Sequence, residues 1–534
     1  MRRLTAVVLG AALAAATWAE DGAPAPPKPD LAALLAAVRD ADGERRDAAV
    51  AAVLGLDPKA DDVASALAAG LPRPAARPGW QVLAARDEVG VDRPYHLYVP
   101  KSAAESATPA PLLVDLHGGV GRPVFIPEEQ FAQYRDTWTE LADRHGFVVA
   151  MPLGRADCTW WSAAGAGHVR ATVRDARRRV AVDGDRIVAT GFSDGGSGCW
   201  YLTMASPDPF AAFLPMNGHP VVASRASGAQ LYLENAVATP LFAAMTQDDG
   251  LYPAASVLPH VQALFDLKAQ VHLVSYPTGG HTPSYFDDQK EAFVKFALSA
   301  RRDVSPDAVE WRTADAALGR FRWIEVDELG PGDGDAAAVP DVQVTTRPGR
   351  VTLGFRIDQK HAGTGVAVEG VMDDTPAKRA GLLAGDVIVG IDGKPTGDAA
   401  ALRRALDAKA AGDEVKVSVR RGDADVALTA RIDPFVPAPS YERAKPASRV
   451  VARRTGNVVD VTTRGVRRFR VLVHPGDFDL SQEVEVRVNG TTRSRSKVEP
   501  DLKTMLRRYA ADADDRRVVL AEIAVTIPAA AGAR

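Results

Sequence analysis

Two periodicities divide the chain. Between residues 31 and 69 apolar side chains recur at helical spacing, with Leu31, Leu34, Leu35 and Val38 followed by Val50, Val53 and Leu54. Gly43, Gly55 and Pro58 interrupt this pattern, which predicts a small helical region. Proline-rich stretches at 21–30 and 71–78 bracket it. From Trp80 onward, short apolar runs alternate with amphipathic ones. Strands are predicted over 95–99, 111–116, 147–151, 186–190, 210–216, 240–245 and 271–276, with helices over 131–145, 198–205 and 288–300. Strands alternating with helices imply a mostly parallel, doubly wound α/β sheet covered on both faces. After about residue 301 the period becomes two, over 321–326, 458–461, 469–473 and 484–488. Asn489-Gly490 follows the last run, a strong hairpin signal. These pieces predict an antiparallel β-sandwich, interrupted from Asp341 to about Pro434 by a segment of different character.

Composition adds boundaries. The 534 residues are 46% hydrophobic and 25% charged, as expected of globular domains, and the length allows about three to four of them. A net charge of −4 gives no support for a nucleic-acid partner. The basic run Arg174-Asp175-Ala176-Arg177-Arg178-Arg179 reads as a solvated helix face. At the start, Arg2 and Arg3 precede an apolar run, Leu4 to Ala16, and small residues up to Ala19. That is the layout of a cleaved export signal, and the run is too short for a stable membrane span. An exported, secreted or periplasmic protein with no membrane span is expected. The only cysteines are Cys158 and Cys199. An oxidising compartment permits a disulfide between them; two separately buried thiols are the alternative.

The candidate chemistry centres on Gly191-Phe192-Ser193-Asp194-Gly195, placed between a predicted strand and a predicted helix. A serine nucleophile must be lifted clear of the sheet on a sharp turn, and glycines at both flanks let that turn close. Leu116-His117-Gly118-Gly119 ends an earlier strand. N–H groups near Gly118 and Gly119, with that of Asp194, form the expected oxyanion hole. A base and an acid should follow in the order Ser, acid, His. His281, in Gly279-Gly280-His281-Thr282, lies just past the strand that ends at Tyr276, and His219 is the second choice. The acid falls at Asp248 or Asp249, just past the strand over 240–245. Trp160 and Trp161 are candidate substrate-binding aromatics, with the core as their other destination. This chemistry needs no metal and no organic cofactor.

The motifs from Val182 through Gly191-Phe192-Ser193-Asp194-Gly195-Gly196 to Ala212, with the His117 and His281 loops, resemble α/β-hydrolases of the polyhydroxybutyrate depolymerase and feruloyl or acetyl xylan esterase group. In that group the acid stands four residues before a proline, as Asp249 does before Pro253, which favours Asp249 over Asp248. The resemblance covers about residues 80–300 and implies hydrolysis of an ester, polysaccharide-linked or polyester, through an acyl-enzyme. Peptide hydrolysis of the prolyl-oligopeptidase type and an inactive binding protein are the rival readings. Leu353-Gly354-Phe355, Thr375-Pro376-Ala377 and Gly385-Asp386-Val387-Ile388 resemble a PDZ domain, implying a carboxylate-binding loop at Leu353, Gly354 and Phe355 for a peptide or protein C-terminus. The expected division is a signal peptide over 1–19, a linker and helical region over 20–78, the hydrolase over 79–300, the PDZ domain over 341–435, and the sandwich over 301–340 and 436–529.

Overall fold

A computed structural model describes residues 30–346, 351–358, 361–433, 438–441, 443 and 445–530. The expected signal segment lies outside the described residues.

Eight strands form the central sheet: β1 (Gly79–Arg86), β2 (Asp92–Val99), β3 (Ala110–Leu116), β4 (Val148–Pro152), β5 (Val182–Phe192), β6 (Ala212–Met216), β7 (Leu241–Thr246) and β8 (Val271–Tyr276). Their order is β1-β2-β4-β3-β5-β6-β7-β8. β2 pairs antiparallel with β1 and with β4; every other neighbour is parallel. β4 shows why such strands read as continuous apolar runs. Val148 and Ala150 enter the core on one face, with Val169, Trp200 and Phe213. Val149 and Met151 enter the core on the other, with Phe131, Trp138 and Phe293. β1 escaped the sequence reading because its side chains are half-buried at the sheet edge.

The sandwich strands lie on both sides of the interrupting segment. Ala308–Thr313 pairs with Ser448–Thr455, and Ile324–Leu329 pairs with Val466–Val473. The two sheets hold four and five strands; all pairs are antiparallel except Val458–Val461 with Glu485–Val488. Asn489 and Gly490 both take positive φ, 50° and 80°, and turn Glu483–Val488 into Thr491–Lys497. The N-terminal helices Leu31–Asp40, Glu44–Gly55 and Ala60–Ala69 are not a free-standing bundle. Their Leu35, Val38, Val53 and Leu67 share the core of Trp311, Trp323 and Phe469. Between the sandwich halves, six strands and the helix Ala399–Asp407 enclose a separate core of Leu353, Ile388, Leu402 and Val417. Thr345–Thr346 pairs with Ala438–Pro439 where the chain leaves and returns.

Two expectations from the sequence are corrected here. The arginine run is not a solvated face: Arg174, Arg177 and Arg178 are buried on the helix Ala163–Arg179. Arg177 pairs with Asp514 at 2.8 Å and Arg178 with Asp42 at 3.1 Å, so the helix is the seam between the α/β domain, the sandwich and the N-terminal helices. Cys158 and Cys199 form no disulfide; both are free and buried. Cys158 Sγ lies 3.9 Å from His168 Nδ1, whereas Cys199 is sealed within the helix that follows Ser193, where burial pushes its thiol pKa up.

Candidate active site

Ser193 sits between β5 and the helix Asp194–Ala205 with φ 59° and ψ −119°, a strained backbone that raises its side chain above the sheet. The flanking glycines are sterically required. A Cβ at Gly191 would stand 2.4 Å from Leu116 O, and one at Gly195 only 1.6 Å from the same atom. The helix begins at Asp194, so its free N–H groups and positive dipole end point at the serine.

His281 Nε2 is 2.8 Å from Ser193 Oγ, and its Nδ1 is 2.8 Å from Asp249 Oδ2. Asp248 is elsewhere: its Oδ1 accepts the Gly280 N–H at 2.7 Å, and Thr246 Oγ1 donates to Gly280 O. Gly280, just before His281, is thereby pinned through both its N–H and its C=O. Asp249 is 1% exposed, and burial by itself would raise its pKa. Hydrogen bonds from His281, from Asn217 Nδ2 at 2.8 Å, and from the N–H groups of Tyr252 and Leu251 at 2.9 and 2.7 Å overcome that and hold it at about 2. The carboxylate is therefore ionised at neutral pH and accepts from four donors.

The loop through Gly118 and Gly119, expected to form the oxyanion hole, stands against the turn at Ser193. A Cβ at Gly118 would come within 3.0 Å of Ser193 Cβ, and Gly119 takes φ 69°. Val120 N–H donates to Asp194 Oδ2 at 2.9 Å, fixing the loop to the residue after the serine. His117 is structural: its Nε2 accepts the Gly154 N–H at 2.9 Å, and burial lowers its pKa to about 4. His219 is 3.0 Å from Ser256 Oγ and accepts the Val221 N–H, so it does not approach Ser193 as a base.

Trp160 and Trp161 go to the core and not to a substrate wall. Trp160 is fully buried, donates to His117 O at 2.9 Å, and packs on Gly198, where a Cβ would meet it at 2.7 Å. Other residues surround the histidine. The Phe192 ring lies 5.0 Å from that of His281, and the Tyr252 ring meets it edge-on at 5.3 Å. The Tyr252 hydroxyl donates to Asp194 Oδ1 at 3.3 Å. Asn217 and Tyr285 were not singled out from the sequence. Asn217 follows β6 with φ 40°, and the Tyr285 hydroxyl donates to its Oδ1 at 2.6 Å. Asn217-Gly218 stands at a strand end, as the other site residues do, and that position was the available signal.

Residues 156–313, spanning Ser193, Asp249 and His281, match the model of the dienelactone hydrolase family, and residues 351–432 match that of the PDZ domain. The chain thus carries a dienelactone-hydrolase-family α/β-hydrolase domain and a PDZ domain. It is 31% identical over 134 residues to the bifunctional acetylxylan esterase/xylanase XynS20E of Neocallimastix patriciarum, covering 24% of this chain and 19% of that protein. It is 42% identical over 65 residues to a putative serine protease, HhoA, of Synechocystis, covering 12% and 16%. The chain thus spans less than a fifth of the length of either relative. Among solved structures, a thermostable esterase is 21% identical, with 42% of this chain and 63% of that one covered and a TM-score of 0.35. A ferulic acid esterase is 17% identical, with 41% and 98% covered and a TM-score of 0.33.

In the PDZ domain, Gly354 has φ 86°, and a Cβ there would stand 2.3 Å from Thr375 Cβ. Ala377 N–H donates to Leu353 O at 2.7 Å, and Met372 N–H donates to Gly354 O at 3.1 Å. The Leu353 side chain is buried in the domain core, so this loop offers backbone groups with Phe355 beside them. Among the described residues no helix is long and apolar enough to cross a membrane, and no cluster of metal-ligating side chains occurs.

Proposed function

We propose that the protein is an exported serine hydrolase that cleaves carboxylic esters through an acyl-enzyme. The observation that carries this reading is the continuous hydrogen-bond chain Ser193–His281–Asp249 at 2.8 Å per link. His281 takes the Ser193 hydroxyl proton as Oγ attacks the ester carbonyl. Charge on the carbonyl oxygen is met by the N–H groups of Gly119 and Asp194. His281 passes its proton to the leaving alcohol, and the acyl group stays on Ser193. A water molecule then gives a proton to His281 and attacks the acyl carbon; the carboxylic acid leaves and Ser193 regains its proton. Asp249 remains ionised throughout, holding the imidazole tautomer and stabilising the imidazolium.

The PDZ domain takes an extended peptide with a free C-terminus, its carboxylate held by the N–H groups around Gly354 and its strand added beside Phe355–Ile357.

The test is turnover of p-nitrophenyl acetate and of a peptide p-nitroanilide by the protein and by Ser193→Ala. Ester turnover abolished in the variant supports the proposal. Dominant peptide turnover reassigns the protein as a peptidase. Equal turnover in both proteins, or none in either, refutes it. For export, the mass of the protein recovered from a bacterial periplasm should match cleavage after Ala19.

A further inference from the structure

The loop after β3 runs past Ser193 as glycine peptides, which turn over readily unless their ends are held. Three successive carbonyls of this loop each accept from a side-chain N–H. The Trp160 indole donates to His117 O at 2.9 Å, His117 Nδ1–H donates to Gly118 O at 2.8 Å, and Arg122 Nε donates to Gly119 O at 2.9 Å. The His117 proton is fixed on Nδ1 because Nε2 accepts the Gly154 N–H at 2.9 Å, and burial keeps the ring neutral. Gly154 in turn packs on the loop, since a Cβ there would stand 2.9 Å from Trp160 and from Val120 Cγ1. The Arg122 main chain is tied as well, its C=O accepting the Ala156 N–H at 2.8 Å.

A trans peptide points its C=O and N–H in opposite directions. Holding Gly118 O on the side of His117 therefore aims the Gly119 N–H the other way. The next peptide is closed at both ends, Gly119 O by Arg122 and Val120 N–H by Asp194 Oδ2 at 2.9 Å. Among the described residues the N–H groups of Gly119 and Asp194 meet no acceptor, which leaves these two for a developing negative charge. Were the 118–119 peptide to turn over, the Gly118 carbonyl would face that charge and repel it.

On the acyl-transfer reading above, we propose that Trp160, His117 and Arg122 are positioning residues that hold the carbonyls of this loop away from Ser193 and so fix the Gly119 N–H as an oxyanion donor. They act through the peptide planes and not on the ester itself. The indole buried beneath the loop thus has a task although it forms no substrate wall.

Arg122 is half-buried and is the residue to change first, in the full-length protein. Methionine keeps much of its length without a donor, whereas glutamine places an N–H at the bond position of Nε without the charge. With p-nitrophenyl acetate, Arg122→Met should lower kcat at least about tenfold with KM within about twofold, and Arg122→Gln should recover to within about threefold of the parent. The second readout is inhibition by phenyl trifluoromethyl ketone, whose adduct with Ser193 carries a tetrahedral oxyanion. Its inhibition constant should rise across the variants by the factor that kcat/KM falls, a match that a loosened fold alone would not produce. His117→Asn and His117→Leu form a second pair, which decides the matter if Arg122→Met melts well below the parent. Both lack the Nε2 acceptor, but only asparagine retains a donor at the position of Nδ1, and its kcat should exceed that of the leucine variant at least about tenfold. Arg122→Met within about twofold of the parent, Arg122→Gln as impaired as Arg122→Met, or equal His117 variants would overturn the proposal while leaving the acyl-transfer reading standing. Ser193→Ala as active as the parent would instead refute that reading and the proposal with it.

Discussion

Replacing Asn217 tests whether the buried polar network behind the proposed triad orients its histidine. The Asn217 amide donates to Asp249 Oδ2 at 2.8 Å and to Thr246 Oγ1 at 3.0 Å, while its carbonyl accepts from Tyr285. A hydrogen bond to a charged acceptor contributes about 1.5–3 kcal/mol. Without it, Asp249 keeps three of its four donors, its pKa moves up toward the ordinary carboxylate range, and the Asp249–His281 pair gains freedom to rotate. If most of that energy is expressed in the transition state, kcat/KM falls about 10- to 100-fold, since 1.4 kcal/mol is a tenfold change. The backbone supplies a control. Asn217 has φ 40°, which glycine adopts freely but alanine adopts only at a cost of about 1–2 kcal/mol. Asn217→Gly and Asn217→Ala should therefore lose p-nitrophenyl acetate activity alike, whereas Asn217→Ala should also melt lower. Asn217→Gly retaining kcat/KM within about twofold of the parent at an unchanged melting temperature would refute the reasoning.

Other substitutions probe the loop, the seam and the sheet. Asp194→Ala removes the acceptor for Val120 N–H and the Tyr252 hydroxyl, so the oxyanion loop loosens; steady-state kinetics should show kcat lower by about tenfold with little change in KM. Asp514→Ala leaves Arg177 and Arg302 without their shared buried carboxylate and should destabilise the protein by about 3–5 kcal/mol in denaturant unfolding, while an unchanged midpoint would mean the seam contributes nothing. Asp115 is buried beside Trp138, which donates to it at 2.9 Å, and burial lifts its pKa to about 7. Because its folded pKa lies above its unfolded value, the stability it contributes is full below about pH 4 and is lost as pH rises through 7. Asp115→Asn should thus melt progressively higher than the parent as pH goes from 5 to 8, and a pH-independent difference would contradict this. Asp249 has the opposite sign: its folded pKa of about 2 lies below the unfolded value, so its contribution is present above about pH 4 and lost as pH falls through 2. Asp249→Asn should close its stability gap to the parent over that acidic window in pH-dependent melts.

The layered α/β sheet, the hairpin at Asn489-Gly490 and the turn at Ser193 are legible in the residues alone. Each rests on local chemistry: apolar runs for strands buried on both faces, glycines where a Cβ cannot fit, and Asn-Gly where φ is positive. The sequence also placed Ser193, Asp249 and His281 at strand ends that the sheet order brings together. The spacing to Pro253 favoured Asp249 over Asp248, but adjacent aspartates are locally equivalent until the fold turns one toward His281 and the other toward Gly280. Only the tertiary structure decided the fate of Trp160, drawn inward because Gly198 leaves room for an indole, and of the arginine run. Arginines on a helix read as solvated until carboxylates from more than 100 residues away, Asp42 and Asp514, are folded against them. Long-range pairing carries no local signal, and for that reason Asn217 and Tyr285 emerged only from the fold.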